Sequence, residues 1–273
     1  MQGTVVIITG ASGGIGAAAA SSIASRGGSV ALVARREPEL RAVAERLGEN
    51  ALPVVGDATK REDVRRAIHA ALDRFGHVDV IVNNVGRGIS RVPSELSDDD
   101  IDDMMRINVK SMLYGVQEVL PHFRDRGRGQ IINVSSMLGR MPMTVFRSAY
   151  NGAKHFLNAV TWNLREELRE SHPGIVVSLV SPPVVATEFG VNALHGGPDS
   201  RSLPFPQDVT EVGEVIAWVI AEKKLDVYTR PGSKARITAF LSGLGEDPPA
   251  SVIAGQRVNA KLGTVPLREG DTL

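Results

Sequence analysis

The sequence predicts an α/β fold: a single doubly wound domain of about seven mostly parallel strands, with helices on both faces of the sheet. Three observations predict it. Short β-branched runs alternate with longer helical patterns some six times, at the spacing of βαβ units. Right-handed crossovers between such strands leave the doubly wound sheet as the leading topology. No linker, internal repeat or low-complexity tract interrupts the 273 residues, which favours one large domain over two small ones.

The elements follow in order. Residues 4–9 are a buried strand, a β-branched run too short for a helix. A Gly-rich turn leads into an Ala-rich helix over about 15–26, stopped by Gly27 and Gly28. The second strand covers 29–34, and a helix over 38–47 tolerates Pro38 in its first turn. A third strand (52–56), a helix (61–75) and a fourth strand (78–83) come next. A long helix runs from Ser97 to about Arg124. Its acidic start, Asp98 to Asp103, reads as a capped first turn rather than a metal site: Ser97 is a natural N-cap, Asp100 stands three residues on, and acids suit the dipole. The fifth strand (130–135), a second long helix (148–170) and the sixth strand (175–180) complete the regular alternation. A Pro/Gly-broken stretch precedes a helix over 209–222 and a possible seventh strand at 226–229. Beyond Arg230 the pattern weakens to one short amphipathic helix, 234–244. The division is therefore a domain over 1–230 and a C-terminal extension over 231–273 that is not a separate domain.

Composition narrows the function. Lys plus Arg total 31 and Asp plus Glu total 31, so the chain lacks the net positive charge that general nucleic-acid binding requires. No cysteine is present, which excludes disulfides, thiolate metal sites and cysteine nucleophiles. The six histidines are scattered without metal-ligand spacing, so no metal is expected. The N-terminus lacks a basic n-region and no apolar run reaches 18 residues. The expectation is a cytoplasmic protein without a membrane span.

Three motifs carry chemistry. Thr9-Gly10-Ala11-Ser12-Gly13-Gly14-Ile15-Gly16 leaves a strand and opens a helix. Its glycines permit tight turns and close approach, and the helix N-terminus offers free N–H groups to a pyrophosphate. The second strand ends in Ala34-Arg35-Arg36, where a carboxylate would favour NAD; an arginine pair suits a 2′-phosphate instead and favours NADP(H). Tyr150 and Lys154 stand four residues apart on a helix and share a face. A neighbouring ammonium favours the phenolate, lowers the tyrosine pKa and makes it a usable general acid or base.

With these motifs in place the chain resembles the short-chain dehydrogenase/reductase (SDR) family. The resemblance rests on the Thr9–Gly16 turn, Asp57, Asn83-Asn84-Val85-Gly86, Asn108, Ser135-Ser136, Tyr150 with Lys154, and Pro182 with Thr187. It covers about residues 4–229 and implies a Rossmann-like, dinucleotide-binding oxidoreductase.

The resemblance also implies roles. Tyr150 would exchange the proton with the carbonyl or alcohol oxygen, and Ser136 would hydrogen-bond that oxygen. Lys154 would bind the nicotinamide ribose and tune Tyr150, and Asn108 would hold a water linking Lys154 to solvent. Gly10, Ser12, Gly14, Ile15 and Gly16 would serve the phosphates. Asp57 would meet the adenine, Asn83 and Gly86 would shape the adenosine side, and Thr187 with the Val185 backbone would hold the carboxamide. Two departures from the family pattern stand out: Val85 in place of alanine, and Pro183 in place of glycine, which puts the path of the nicotinamide-side loop in question. The substrate loop, about 183–206, carries Phe189, Val191, Leu194, Leu203 and Phe205; with Met141, Met143 and Phe146 it suggests an apolar pocket. The expected partner is a small carbonyl or secondary-alcohol substrate, mainly hydrophobic. The long helices suggest a homodimer or homotetramer. Ile237, Phe240, Leu241 and Leu244 would cover a neighbour's site, join the interface or touch a membrane surface. A NAD-dependent alcohol dehydrogenase and a catalytically silent dinucleotide-binding protein remain the alternatives.

Overall fold

A computed structural model of the chain describes residues 1–246. Seven parallel strands form one sheet in the order β3-β2-β1-β4-β5-β6-β7. They are β1 (Val5–Thr9), β2 (Ser29–Ala34), β3 (Ala51–Val55), β4 (Val80–Asn83), β5 (Gly129–Val134), β6 (Ile175–Ser181) and β7 (Asp226–Tyr228). The order reverses between β1 and β4, which places a crevice at the carboxyl ends of those two strands. The register pairs Ile8 with both Leu32 and Val82, so the central strands are flanked by apolar chain on each side.

The helices are α1 (Gly14–Ala24), α2 (Glu37–Leu47), α3 (Arg61–Phe75), α4 (Asp98–Met105), α5 (Ser111–Arg126), α6 (Ser148–Ser171), α7 (Val209–Glu222) and α8 (Ser233–Leu241). Helices α1, α2 and α7 cover one face of the sheet, burying Ile23, Leu40 and Ile216 against Val6, Val30 and Val180. Helices α3, α5 and α6 cover the other, with Ile68, Phe123 and Leu157 against Ile7, Ile81 and Ile131. Strand residues alternate between these two cores, as the period of two requires. No helix among the described residues is long and apolar enough to cross a membrane.

The expected long helix over 97–124 is continuous but not uniform. Residues Arg106–Lys110 form a π turn between α4 and α5. The start is as read from the acidic run: Ser97 Oγ accepts from the Asp100 N–H and the Asp100 carboxylate accepts from the Ser97 N–H, a complete capping box.

Helix α8 packs on its own chain. Ile237 and Phe240 meet Met137, Met141 and Tyr228, while Leu241 and Leu244 are exposed. Residues 247–273 of the C-terminal extension lie outside the described residues.

Candidate active site

The crevice begins at the turn after β1. Gly10 (φ 72°) and Gly14 (φ 54°) take the left-handed region that favours glycine. Asn84, at the end of β4, holds the turn: its Nδ2 donates to the Thr9 carbonyl at 3.0 Å, and its backbone N–H donates to Thr9 Oγ1 at 3.0 Å. A side chain at Gly16 would collide with that same amide. Helix α1 then opens from Gly13 with no side-chain cap and no acid in its first turn. Its leading N–H groups are therefore free to meet a pyrophosphate. Ile15 packs on the core beneath the turn.

Two arginines stand at the end of β2. The Arg36 guanidinium donates to Ser12 Oγ at 3.3 Å and so reaches the glycine turn. Arg35 is largely exposed and leans toward Asp57, 4.0 Å from its carboxylate. Asp57 follows β3 and accepts from both the N–H and the hydroxyl of Thr59, each at 2.9 Å. The adenosine end of a dinucleotide would thus meet an exposed double cation beside one anchored carboxylate, an arrangement that fits the group.

The second half of the crevice lies at the end of β5. Ser136 caps a short turn, its Oγ accepting from the Leu138 N–H at 3.1 Å. Tyr150 and Lys154 lie one turn apart on α6, with Lys154 Nζ 5.7 Å from the tyrosine ring centre and donating to the Val134 carbonyl at 2.9 Å. All three side chains are buried. The Tyr150 ring meets the Phe189 edge, centres 5.5 Å apart.

The electrostatics differ from the sequence expectation. Burial pushes the Tyr150 phenol up to about 12, while the Ser136 hydrogen bond and the Arg147 charge pull the other way. Burial also brings Lys154 down to about 8. The net effect on Tyr150 is upward, because removing the phenolate from water outweighs its neighbours.

Two further residues, Asn83 and Gly86, take positions other than those expected. Asn83 turns its side chain into the interior, where Nδ2 donates to Asn133 Oδ1 at 2.9 Å and Oδ1 lies against Gly115. Successive strand side chains face opposite ways, so Asn84, to which the sequence reading gave no role, is the one that reaches the glycine turn. Gly86 lies at the catalytic end rather than the adenosine side: a Cβ there would stand 3.0 Å from Asn108 Oδ1 and 3.3 Å from Lys154 Nζ. Asn108 sits in the π turn, fully buried, and grips the neighbouring loop with both ends of its amide. Oδ1 accepts from the Arg87 N–H at 3.1 Å, and Nδ2 donates to the Arg87 carbonyl at 3.0 Å. The π turn aims this amide across the crevice, as such turns often do at functional sites.

The loop after β6, which carries Pro183, is tied to the segment before α7. Gln207 donates to the Val184 carbonyl and Ala186 to the Gln207 carbonyl, both at 2.8 Å, so Val185 is pinned by a parallel bridge. Thr187 then passes Gly14, whose Cβ would lie 3.5 Å from the threonine methyl. Val85, the other departure, packs between Gly10 and the α3/α5 core. Of the expected pocket residues, Phe189 and Leu194 pack near Tyr150, and Met143, Phe146, Val191 and Phe205 are exposed. Met141 is withdrawn beneath α8. The loop is also tied down by a cluster that the sequence did not reveal. The buried Asp100 carboxylate accepts from His195 Nε2 at 2.6 Å and from Arg91 at 3.0 Å. These residues are 95 and 9 positions from Asp100, with no spacing rule to connect them.

Comparison with known proteins gives a consistent result. The family model described as short chain dehydrogenase matches residues 4–196. An uncharacterised oxidoreductase of Staphylococcus epidermidis is 34% identical over 183 residues, covering 67% of this chain and 78% of that one. A short-chain dehydrogenase/reductase from Burkholderia phymatum, solved in complex with NAD, superposes with a TM-score of 0.80 at 25% identity, covering 90% of this chain and 98% of that one. An alcohol dehydrogenase from Thermococcus sibiricus, complexed with 5-hydroxy-NADP, gives a TM-score of 0.72 at 25% identity, covering 82% and 95%.

Proposed function

This chain belongs to the short-chain dehydrogenase family of oxidoreductases, and on that premise we propose that it interconverts a carbonyl and a secondary alcohol with NADP(H). The observation that carries the reading is the buried grouping of Ser136, Tyr150 and Lys154 beyond the end of β5.

The dinucleotide would lie along that crevice, its pyrophosphate on the open N–H groups of α1 and its adenosine end between Arg36, Arg35 and Asp57. It supplies the hydride. The chain's own residues supply orientation and the proton. Ser136 Oγ hydrogen-bonds the substrate oxygen. The Tyr150 phenol, held protonated by burial, donates its proton to that oxygen in reduction and reclaims it in oxidation. Lys154 offsets the phenolate charge from the next turn of α6. Asn108 holds the 86–88 loop that forms the opposite wall. The arginine pair supports NADP(H): a guanidinium fork matches a phosphate better than a diol. The substrate is small with a mainly apolar body, and Phe189 and Leu194 beside Tyr150 favour that. A cytoplasmic homodimer or homotetramer is the expected form, and exposed Phe156 on α6 is an apolar residue that a second subunit would cover.

Tyr150→Phe tests the reading. With NADPH and a panel of ketones and aldehydes, turnover is expected to fall by about 10²–10⁴-fold while NADPH affinity is retained. Unchanged turnover in the variant sinks the assignment. NADPH binding without turnover of any carbonyl points to the catalytically silent alternative.

A further inference from the structure

Three charged side chains are buried among the described residues: Asp100, Lys154 and Arg147. Asp100 pairs with Arg91 and hydrogen-bonds His195, and Lys154 belongs to the proposed catalytic group. Arg147 has no charged partner among the described residues; its guanidinium carbon lies 5.4 Å from the centre of the Phe146 ring. The residue immediately precedes α6, keeps only 8% of its surface exposed, and forms no ion pair with any described residue. Of its five donors, one is satisfied, by the Ile89 carbonyl at 2.9 Å. A guanidinium largely removed from water without a counter-charge is costly.

Its surroundings point to what would complete it. Arg147 stands three residues before Tyr150, and its charge reaches the phenol. Gly88 leaves room for it: a Cβ there would lie 2.5 Å from Arg147 Nη1 and 3.0 Å from the Phe189 ring, which itself packs on Tyr150. On its other side, the Gly190 carbonyl oxygen, Ser90 Oγ and Arg147 Nη2 lie 2.7, 2.9 and 3.2 Å from the point a Gly197 Cβ would occupy. The Ser90 hydroxyl is buried and has no hydrogen-bond partner. A buried cation with open donors thus sits beside an unpaired hydroxyl, three residues before Tyr150 in the chain.

We propose that Arg147, with Ser90, binds a carboxylate carried by the substrate, so that the natural substrates are oxo acids or hydroxy acids rather than neutral carbonyls. This rests on the proposed placement of the reacting oxygen at Tyr150 and Ser136. The carboxylate then lies a few bonds from the reacting carbon, since Arg147 and Tyr150 are less than one helical turn apart. The planar fork of Arg147 suits a carboxylate.

The test compares 3-, 4- and 5-oxo carboxylic acids with their methyl esters, using the full chain and NADPH. At least one acid is expected to exceed its ester in kcat/KM by about ten- to hundred-fold, mainly through KM. Arg147→Gln, which keeps a donor for Ile89, is expected to collapse that ratio toward one. An unchanged ratio overturns the proposal, and so does an equal loss for acid and ester, the mark of a purely structural arginine. If the wild type reduces esters and neutral ketones as well as acids, this proposal falls and the oxidoreductase reading stands. If no carbonyl is reduced, the oxidoreductase reading falls and a binding measurement decides this proposal. There, 4-oxopentanoate should raise the melting temperature of the wild type and not that of Arg147→Gln; equal shifts, or none, overturn it. Should Arg147→Gln fail to fold, Arg147→Lys keeps the charge and loses the fork, and an intermediate ratio is expected.

Discussion

Tyr150 and Lys154 are displaced from their ordinary acidities in opposite directions by the same cause, burial in a dry wall of the crevice. A phenol near 12 is fully protonated at neutral pH and ready to donate, which suits reduction. A lysine near 8 begins to lose its charge just above neutrality, and in the proposed mechanism the support for the phenolate goes with it. Carbonyl reduction is therefore expected to hold steady below about pH 8 and decline above it. Alcohol oxidation, which needs Tyr150 deprotonated, is expected to keep rising into the alkaline range. Steady-state profiles in both directions check this, and Lys154→Arg should move the alkaline limb of reduction upward. The residue types at this site were legible from spacing and family pattern. Their electrostatics were not, because the burial of Tyr150 depends on Phe189 and the 88–90 loop, which arrive from distant parts of the chain. Asn84 was hidden for a simpler reason: two consecutive asparagines at a strand end look alike until the pleat assigns each a face.

At the scale of elements, the strands were legible because β-branched runs bounded by glycine have few other uses. The π turn was not, since one extra residue in a long helix barely disturbs the i, i+3, i+4 pattern. Helix α7 lies close on α1, and Gly213 permits it: a Cβ there would meet the Ala18 carbonyl carbon at 2.6 Å and its oxygen at 2.7 Å. Gly213→Ala is expected to cost about 1–3 kcal/mol, seen as a lower urea midpoint with unchanged slope. A second element-scale prediction concerns the substrate loop. The His195 and Ser97 hydrogen bonds hold the Asp100 carboxyl down to about 2. A depressed carboxylate stabilises the fold above its unfolded pKa, and that contribution fades as pH falls through the folded one. Between about pH 4 and pH 2 the wild type should lose stability that Asp100→Asn does not have to lose. Urea melts at pH 5 and pH 3 would show a smaller drop in the variant, and limited proteolysis of Asp100→Asn should cut near His195, where the loop is released from α4.

For the whole molecule, the crevice joins residues from β1, β2, β4, β5, α6 and the loop after β6, so a dinucleotide would tie both halves of the sheet together. Ligand at a hundred times its Kd adds about 2.7 kcal/mol to stability, enough for a rise of several degrees in Tm. NADPH is expected to raise Tm more than NADH at equal concentration, and Arg36→Ala to remove most of that difference; equal shifts in the wild type would argue for NAD instead. The same architecture has a consequence for biosynthesis. Ser22 on α1 bonds Glu214 on α7, 192 residues later. At roughly 5–20 residues per second, that partner leaves the ribosome about 10–40 s after α1 does. Throughout that interval the Ala19, Ala20 and Ile23 face of the first helix has only β1, β2 and α2 to close against and lacks the cover of Val212 and Ile216. The nascent chain is therefore most exposed to aggregation, and most in need of a chaperone, at its own beginning.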